Sequence, residues 1–216
     1  MTRRFGVDEA GKGPVLGSMF AAAVVCDPAV LPEGIRDSKR LPPARRETLD
    51  AAIRDVATVG VAEITVAEID APATDMNTLT VAAHARALEA VGVEVDLDGL
   101  AGVVDGGDVD AERFGRRVAE RLDADVDLVA EHGADDAHEI VGAASVVAKV
   151  ARDDHVDALA ATYGEVGSGY PGDATTRAFL REHVREHGSL PACARESWQT
   201  CDDVLAAASQ SALDDF

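Results

Sequence analysis

The order of apolar and polar positions along the chain predicts strands at the start, followed by an alternation of strands and helices. Runs rich in valine, phenylalanine and alanine, bounded by glycine or proline, indicate strands, and apolar residues three and four positions apart indicate helices. The predicted strands cover residues 3–8, 17–26, 58–66, 100–104 and 126–130. The predicted helices cover residues 43–56, 77–91 with Asn77 as the cap, 111–122, 140–163, 175–187 and 196–209.

This order predicts an α/β fold with a mixed five-stranded sheet, helices on its faces and a helical C-terminal part. Acidic residues follow the predicted strands. Asp8, Glu9 and Asp105 stand at strand ends, and Asp135 lies a few residues beyond the last strand. Because ligand sites in open α/β sheets form at strand ends, these four acids are the first candidates for chemistry.

The length of the chain allows one domain, or one domain plus a helical extension, with a sizeable core. The chain has 216 residues, of which 47% are hydrophobic, so a wholly disordered acidic chain is excluded. The longest strongly apolar run, residues 20–26, is too short to span a bilayer, and the first residues lack the apolar stretch of a secretory signal. Cys26, Cys193 and Cys201 form no disulfide or zinc pattern. We expect a soluble, cytoplasmic monomer that does not contact a membrane.

The charge balance points to an unusual solvent. Forty acidic residues face twenty basic ones, which gives a net charge of −20, and the basic residues are 17 arginines and only 3 lysines. Such a surface suits a cell interior at molar salt, where the Debye length falls to about 3 Å. Recognition of nucleic acid there would need metal ions and short-range hydrogen bonds rather than a basic patch.

Most acidic clusters are what this composition produces by chance, and we interpret them as solvated surface. Their acidic residues are Asp108, Asp110, Asp123, Asp125, Asp127, Asp153, Asp154, Asp202, Asp203, Asp214 and Asp215. The segment that begins at Asp105 also fails the spacing of a calcium loop, whose glycine comes sixth.

The segment from Gly6 to Gly13 approaches the phosphate-loop pattern but does not satisfy it. Gly13 replaces the hydroxyl that binds magnesium, two acids lie inside the loop, and the residues that follow predict a strand rather than a helix. A metal-binding strand end is the alternative. Asp8 and Glu9 point to opposite faces of a strand, so serving one site requires a backbone bend, which Gly11 and Gly13 permit.

Carboxylates from several elements are what hard divalent cations require. Two such ions about 4 Å apart can clamp the attacking water and the leaving oxygen of a phosphodiester. Asp8, Glu9, Asp105 and Asp135 fit that specification by position.

Five ordered segments resemble the motifs of ribonuclease HII, the type 2 ribonuclease H of archaea and bacteria. All three lysines fall inside these segments. The likeness covers about residues 3–200, and the chain resembles the archaeal type of the family from a halophile. The segments are residues 6–17, 37–41, 104–105, 131–135 followed by 143–153, and 167–172.

The resemblance implies a ribonuclease H-like fold and hydrolysis of RNA in RNA–DNA hybrids, with cleavage 5′ to ribonucleotides embedded in duplex DNA. It implies a two-metal-ion reaction with Mg²⁺ or Mn²⁺ that leaves 5′-phosphate and 3′-hydroxyl ends. Asp8, Glu9, Asp105 and Asp135 would be the catalytic and metal-binding carboxylates.

The resemblance also assigns substrate contacts. Gly11, Lys12 and Gly13 align with a Gly-Arg-Gly segment whose backbone reads the ribose 2′-hydroxyl, and Lys12 departs from that pattern. Tyr170 matches a tyrosine that packs on the sugar of the next deoxynucleotide. The candidates for phosphate contact are Lys39, Arg46, Lys149 and Arg152, and Arg46 is preferred to its neighbour Arg45.

The last seven residues form a separate candidate. Gln210, Leu213 and Phe216 resemble a peptide that binds sliding clamps, although a second aromatic is missing, and a frayed acidic tail is the alternative. The predicted division is therefore a catalytic domain at 1–209 and a tail at 210–216. Two other functions stay open: a different metal-dependent nuclease or phosphotransferase of the same fold, and an inactive nucleic-acid or clamp adaptor.

Overall fold

A computed structural model of the chain describes residues 2–35 and 41–214 and contains the predicted mixed sheet. Three strands run antiparallel in the order β3, β2, β1, and two further strands extend the sheet parallel to β1 in the order β4, β5. The strands are β1 Arg4–Ala10, β2 Met19–Cys26, β3 Thr58–Ile64, β4 Ala101–Asp105 and β5 Asp127–Glu131. The predicted α/β class and five-stranded sheet are confirmed.

Helices cover both faces of this sheet. They are α1 Pro43–Val56, α2 Val66–Ile69, α3 Met76–Gly92, α4 Ala111–Ala119, α5 Ala134–Ala137, α6 Glu139–Tyr163, α7 Ala174–His187 and α8 Gln199–Asp214, with a 3-10 turn at Pro28–Val30. α3 and α4 pack on the face that carries Phe5 and Val7, whereas α6 and α1 pack on the face that carries Ala22 and Val24. α7 and α8 enclose a third, smaller core with Leu16.

The alternation of side chains along β1 decides which helix each residue meets. Gly6 points toward α6, and a Cβ built on it would lie 2.5 Å from the carbonyl carbon of Ile140. Only a glycine therefore lets α6 lie this close to the sheet. Asp8 shares the face of Gly6, and Glu9 shares the opposite face with Val7.

Several element boundaries differ from the prediction because side chains bind nearby backbone groups. β3 ends at Ile64 instead of residue 66, since Thr65 caps the short α2, which the pattern missed. Asp75, not Asn77, caps α3 by accepting the N–H groups of Asn77 and Thr78.

Two further differences lie in the C-terminal half. The four-residue α5 is too short to show a helical period in the sequence. α8 begins at Gln199 rather than 196, because the carboxylate of Asp70 accepts the N–H groups of Glu196 and Ser197, and it continues past residue 209 to Asp214.

The described part of the chain contains no helix that is both long and apolar enough to cross a membrane. The three cysteines are buried free thiols, and burial raises the pKa of each to about 11.

Candidate active site

The central strand β1 delivers Asp8 and Glu9 to opposite faces of the sheet. The prediction of a backbone bend between them is wrong. Pairing of β1 with β2 continues without interruption to Ala10, and the chain turns only at Gly11, where φ is +90°. β1 pairs with the parallel strand β4 only as far as Val7. Both acids therefore lie just beyond that paired region, at the end of the sheet where Asp105 also stands.

Asp8 is almost completely buried against α6. Its Oδ1 accepts the N–H of Glu9 at 2.8 Å, and its side chain also bonds Ser145. Burial raises the pKa of Asp8 well above its usual value, and the negative charges of Glu9 and Asp105 add to this effect. The bond to Ser145 and the charge of Lys149 oppose the rise without cancelling it.

Glu9 is held on the other face by His84 of α3, a residue that the sequence analysis missed. The His84 Nε2 lies 2.8 Å from the Glu9 Oε2. The imidazole is fully buried and packs edge-on against Phe114, with ring centroids 5.1 Å apart. The only signal for His84 in the sequence is its place among the apolar positions of the predicted helix.

Glu9 differs electrostatically from Asp8. Burial would raise the pKa of Glu9, but the hydrogen bond and charge of His84, together with the charge of Lys12, outweigh burial and lower it. The two neighbouring acids thus have pKa values displaced in opposite directions.

Asp105 and Asp135 reach the same end of the sheet from β4 and α5. The Asp105 Oδ1 accepts the N–H of Ala134 at 2.8 Å, which fixes the start of α5 and with it Asp135, itself only 5% exposed. Burial raises the pKa of Asp105, as do the charges of Glu9 and Asp135, against the lowering effect of the Ala134 bond.

The four predicted acids therefore interact with one another as like charges. Within the described part of the chain, no three histidine, cysteine or acidic side chains lie close enough together to hold a metal ion as they stand. Buried carboxylates that repel one another are nevertheless stabilised by a divalent cation, and oxygen is the donor that Mg²⁺ and Mn²⁺ prefer. The donor set fits such ions.

A cleft of about 390 Å³ opens beside these acids and contains most of the predicted substrate contacts. In the cleft, a Cβ on Gly13 would lie 3.7 Å from the Tyr170 ring, so the missing side chain leaves room between the loop and that ring. The residues that line it are Glu9, Ala10, Gly11, Lys12, Gly13, Arg46, Lys149, Arg152, Asp153 and Tyr170.

The cationic side chains of the cleft are already engaged. The Lys12 Nζ donates to the Gly107 carbonyl oxygen at 2.5 Å, and the Lys149 Nζ donates to the Ser145 hydroxyl. Arg46 binds Asp153 at 2.5 Å. Its Nε is buried and has no hydrogen-bond partner among the described residues.

Arg152 and Tyr170 form one wall of the cleft. The guanidinium carbon of Arg152 lies 5.1 Å from the centroid of the Tyr170 ring, and Arg152 also donates to the Ser168 carbonyl oxygen. Asp173 holds the same loop, since its carboxylate accepts from the Ser168 N–H and hydroxyl and caps α7. Lys149 and Arg152 lie three residues apart on α6, so they share one face of the helix and line the same cleft.

Two acids that were interpreted as solvated surface are in fact engaged. Asp153 lies in the cleft between Arg46 and Arg152, and Asp108 is only 6% exposed, with its carboxylate bound by Arg113. The partner of Asp153, Arg46, is 107 positions away and cannot be read from the local sequence, whereas Asp108 is bound by Arg113 only five positions along the chain, a local pair that the composition argument overlooked.

Sequence analysis also missed Arg195, which lies directly beneath the Gly11–Gly13 loop. Its side chain is fully buried and donates to three carbonyl oxygens, those of Gly17, Lys12 and Gly11, at 2.8, 3.0 and 2.6 Å. The indole of Trp198 packs on its guanidinium at 4.9 Å and donates to the Gly13 carbonyl oxygen at 3.3 Å.

Some predicted residues cannot be placed in this site. Lys39 and Phe216 lie outside the described residues, and of Leu213 only the backbone, within α8, is described. Gln210 lies in the C-terminal part of α8.

Comparison with known proteins agrees with the predicted family. The model of the family described as ribonuclease HII matches residues 5–201. Ribonuclease HII of Haloarcula marismortui is 66% identical over 214 residues, which cover 99% of this chain and 100% of the relative.

Solved structures agree as well. The crystal structure of ribonuclease H2 from Pyrococcus horikoshii OT3 superimposes with a TM-score of 0.88 at 34% identity, covering 97% of this chain and 100% of that one. The ribonuclease HII of Archaeoglobus fulgidus, solved in complex with PCNA, gives 0.80 at 34% identity and covers 91% and 95%. This chain therefore belongs to the ribonuclease HII family of metal-dependent endoribonucleases, which act on RNA–DNA hybrids.

Proposed function

We propose that this chain cuts the RNA strand of RNA–DNA hybrids and also cuts duplex DNA 5′ to single embedded ribonucleotides, leaving 5′-phosphate and 3′-hydroxyl ends. The observation that supports this best is the adjacency of the four acids to a cleft lined by the Gly11–Gly13 loop and Tyr170. One end of such a site suits phosphodiester hydrolysis, and the other suits recognition of a sugar.

Asp8, Glu9, Asp105 and Asp135 would hold two divalent ions, Mg²⁺ or Mn²⁺. When bound, such ions lower the pKa of the attacking water and neutralise the charge that develops on the phosphate. The protein orients three of these carboxylates by hydrogen bonds. The Glu9 N–H and Ser145 bind Asp8, His84 binds Glu9, and the Ala134 N–H binds Asp105.

The cleft would bind the nucleic acid by short-range contacts. Lys149 and Arg152 would contact phosphates, Arg46 would do so after releasing Asp153, and Tyr170 would pack on the deoxyribose that follows the ribonucleotide. Backbone groups of Gly11, Lys12 and Gly13 would bind the ribose 2′-hydroxyl. Because these contacts act at hydrogen-bond distance, they suit a protein of net charge −20 better than long-range attraction does.

Cleavage of matched duplexes tests this proposal. One DNA duplex contains a single ribonucleotide, the other is all DNA, and each is incubated with Mg²⁺, Mn²⁺ or EDTA from low to molar KCl. We expect cleavage of the first duplex alone, and only with metal. Cleavage of all-DNA duplex would favour a different nuclease of this fold, and metal-independent binding without turnover would favour an adaptor.

We also propose that residues 1–209 act as the catalytic domain and that residues 210–216 bind a sliding clamp. The complex of the Archaeoglobus fulgidus relative with PCNA supports this, as does the Gln210, Leu213, Phe216 spacing. Removing residues 210–216, or substituting Phe216→Ala, should abolish clamp binding in calorimetry while a short hybrid is still cleaved. Unchanged clamp binding by both variants would refute the role of the tail.

A further inference from the structure

Arg195 occupies a position that no substrate or metal can reach. It is fully buried, and no ion pair between described residues includes it. Burial lowers the pKa of its guanidinium to about 10, so the group stays charged at neutral pH. A buried cation that forms no ion pair needs hydrogen-bond acceptors, and Arg195 has three carbonyl oxygens, while the nearby charge of Asp70 also favours the charged form.

Two of those carbonyls, of Gly11 and Lys12, belong to the loop that lines the cleft. Arg195 holds the oxygens of Gly11 and Lys12 from the protein interior, and Trp198 holds that of Gly13 nearer the surface, so three consecutive carbonyls are bound. The planar fork of a guanidinium can bind separate acceptors in fixed directions, which a lysine ammonium does not do.

Holding the carbonyls also fixes the direction of the amide groups. Every peptide bond between described residues is trans, so each carbonyl points opposite to the N–H of the next residue. With the Gly11 and Lys12 oxygens turned toward Arg195, the N–H groups of Lys12 and Gly13 point away from it. Lys12 and Gly13, which carry these N–H groups, line the cleft.

The Arg195 segment is itself held firmly. Its backbone N–H donates to the Val15 carbonyl oxygen at 2.8 Å. The next two N–H groups, of Glu196 and Ser197, donate to the carboxylate of Asp70 at 2.8 and 3.0 Å. Arg195 therefore links a fixed segment near the C-terminus to the loop after β1.

We infer that Arg195 is a positioning residue that sets the selectivity for ribose, because it aims the N–H groups of Lys12 and Gly13 into the cleft as donors to a 2′-hydroxyl oxygen. This inference rests on the proposed function. A hydroxyl is both an acceptor and a donor, and a deoxyribose offers neither group at that position. Loosening the loop should therefore reduce binding of ribose-containing duplex and leave binding of all-DNA duplex unchanged.

The test compares binding of two duplexes in an Asp105→Asn background, where cleavage should not occur. Fluorescence anisotropy gives the affinity of this parent for a duplex with one ribonucleotide and for the all-DNA duplex. Adding Arg195→Lys keeps the charge but removes the fork. We expect it to lower the preference for ribose about tenfold, the scale of one hydrogen bond, with all-DNA affinity changed less than about twofold.

Two further variants separate positioning from general stability. Leu180→Ala opens a cavity in the third core, keeps every bond of Arg195, and should lower the melting temperature without changing the preference. Trp198→Phe keeps an aromatic ring beside Arg195 but removes the bond to the Gly13 carbonyl oxygen, and it should lower the preference for ribose even if Arg195→Lys fails to fold. All assays run below the melting temperature of the least stable variant.

The outcomes distinguish this inference from the proposed function. Equal binding of both duplexes by the parent would contradict the proposed function. A parental preference that both Arg195→Lys and Trp198→Phe retain would overturn only the role of Arg195. As an independent readout, the ¹⁵N order parameters of Gly11 and Gly13 should fall from about 0.85 toward 0.6 in Arg195→Lys and stay unchanged in Leu180→Ala.

Discussion

Replacing Asp8 by asparagine should abolish cleavage and at the same time stabilise the metal-free protein. Asp8 is 5% exposed, and burial together with the charges of Glu9 and Asp105 raises its pKa well above the usual value. Such a carboxyl destabilises the fold once it ionises. Asparagine has nearly the same shape, carries no charge, and can still accept the N–H of Glu9.

The size of this effect follows from linkage. Above the folded-state pKa, each unit by which that pKa is raised corresponds to about 1.4 kcal/mol of lost stability. For a domain of this size, 1 kcal/mol shifts the melting temperature by about 2–4 °C, so each pKa unit corresponds to about 3–6 °C. Because the pKa is raised, the advantage of Asp8→Asn should be absent at acidic pH and should grow as the pH rises through the folded pKa.

Calorimetric melting with and without divalent metal measures the effect. In EDTA the Asp8→Asn variant should melt several degrees above the wild type. A metal at about 100 times its dissociation constant should stabilise the wild type by about 2.7 kcal/mol and the variant by less. Asp123→Asn, at an exposed acid away from the site, is the matched control and should change stability by less than about 0.5 kcal/mol.

The melting temperatures of the Asp8→Asn variant and the wild type can also contradict the prediction. An Asp8→Asn protein that melts below the wild type in EDTA would show that the carboxylate stabilises the fold, and our account of repulsion among buried acids would be refuted. Repeating the melts in molar KCl checks the same point, because buried pairs are screened by salt much less than exposed ones.

Three further predictions concern residues around the site. His84→Phe removes the hydrogen bond to Glu9, so it should weaken Mn²⁺ binding in calorimetry about 10–100-fold and move the acidic limb of the pH–activity profile to higher pH. His84→Gln should retain most of the affinity for Mn²⁺. Wild-type affinity in the His84→Phe variant would exclude a role for the His84 bond. Asp173→Asn should lower the melting temperature at pH 7. The difference in melting temperature between the variant and the wild type should shrink as the pH falls below about 4 toward the Asp173 pKa of about 2. A difference that does not change with pH would assign the effect to the shape of the side chain rather than to its charge. Gly6→Ala forces α6 away from the sheet and should lower the free energy of unfolding, measured by denaturant titration, by about 3 kcal/mol. Gly172→Ala, which has open space around its Cβ, should leave it unchanged. Equal effects of the two substitutions would contradict the close approach of α6.

The sequence predicts the sheet and the acids at its end because both depend on local pattern and chain order. Apolar runs and helical spacing identify the strands and the longer helices, and Asp8, Asp105 and Asp135 lie at the expected end of the sheet. The family resemblance singles out Lys149 and Arg152, and their helical spacing explains why both line one cleft.

What the sequence could not predict depends on contacts between distant residues. The bond between His84 and Glu9 spans 75 positions, and that between Arg195 and Gly11 spans 184. The periodicity of apolar residues does not reveal such contacts, so the sequence indicates His84 only as one more position on the inner face of a helix. The interpretation of Asp153 as solvated surface is wrong for the same reason, since its partner Arg46 lies 107 positions away.

Mapping the cut in a duplex with one ribonucleotide tests the central claim most directly. With the strand labelled at either end and Mg²⁺ or Mn²⁺ present, we predict a single cut on the 5′ side of the ribonucleotide, with a 3′-hydroxyl on one fragment and a 5′-phosphate on the other, and no cut by Asp105→Asn. A cut on the 3′ side that leaves a 2′,3′-cyclic phosphate would mean that the ribose hydroxyl, not water, attacks the phosphorus. That result would contradict hydrolysis by the four-acid site.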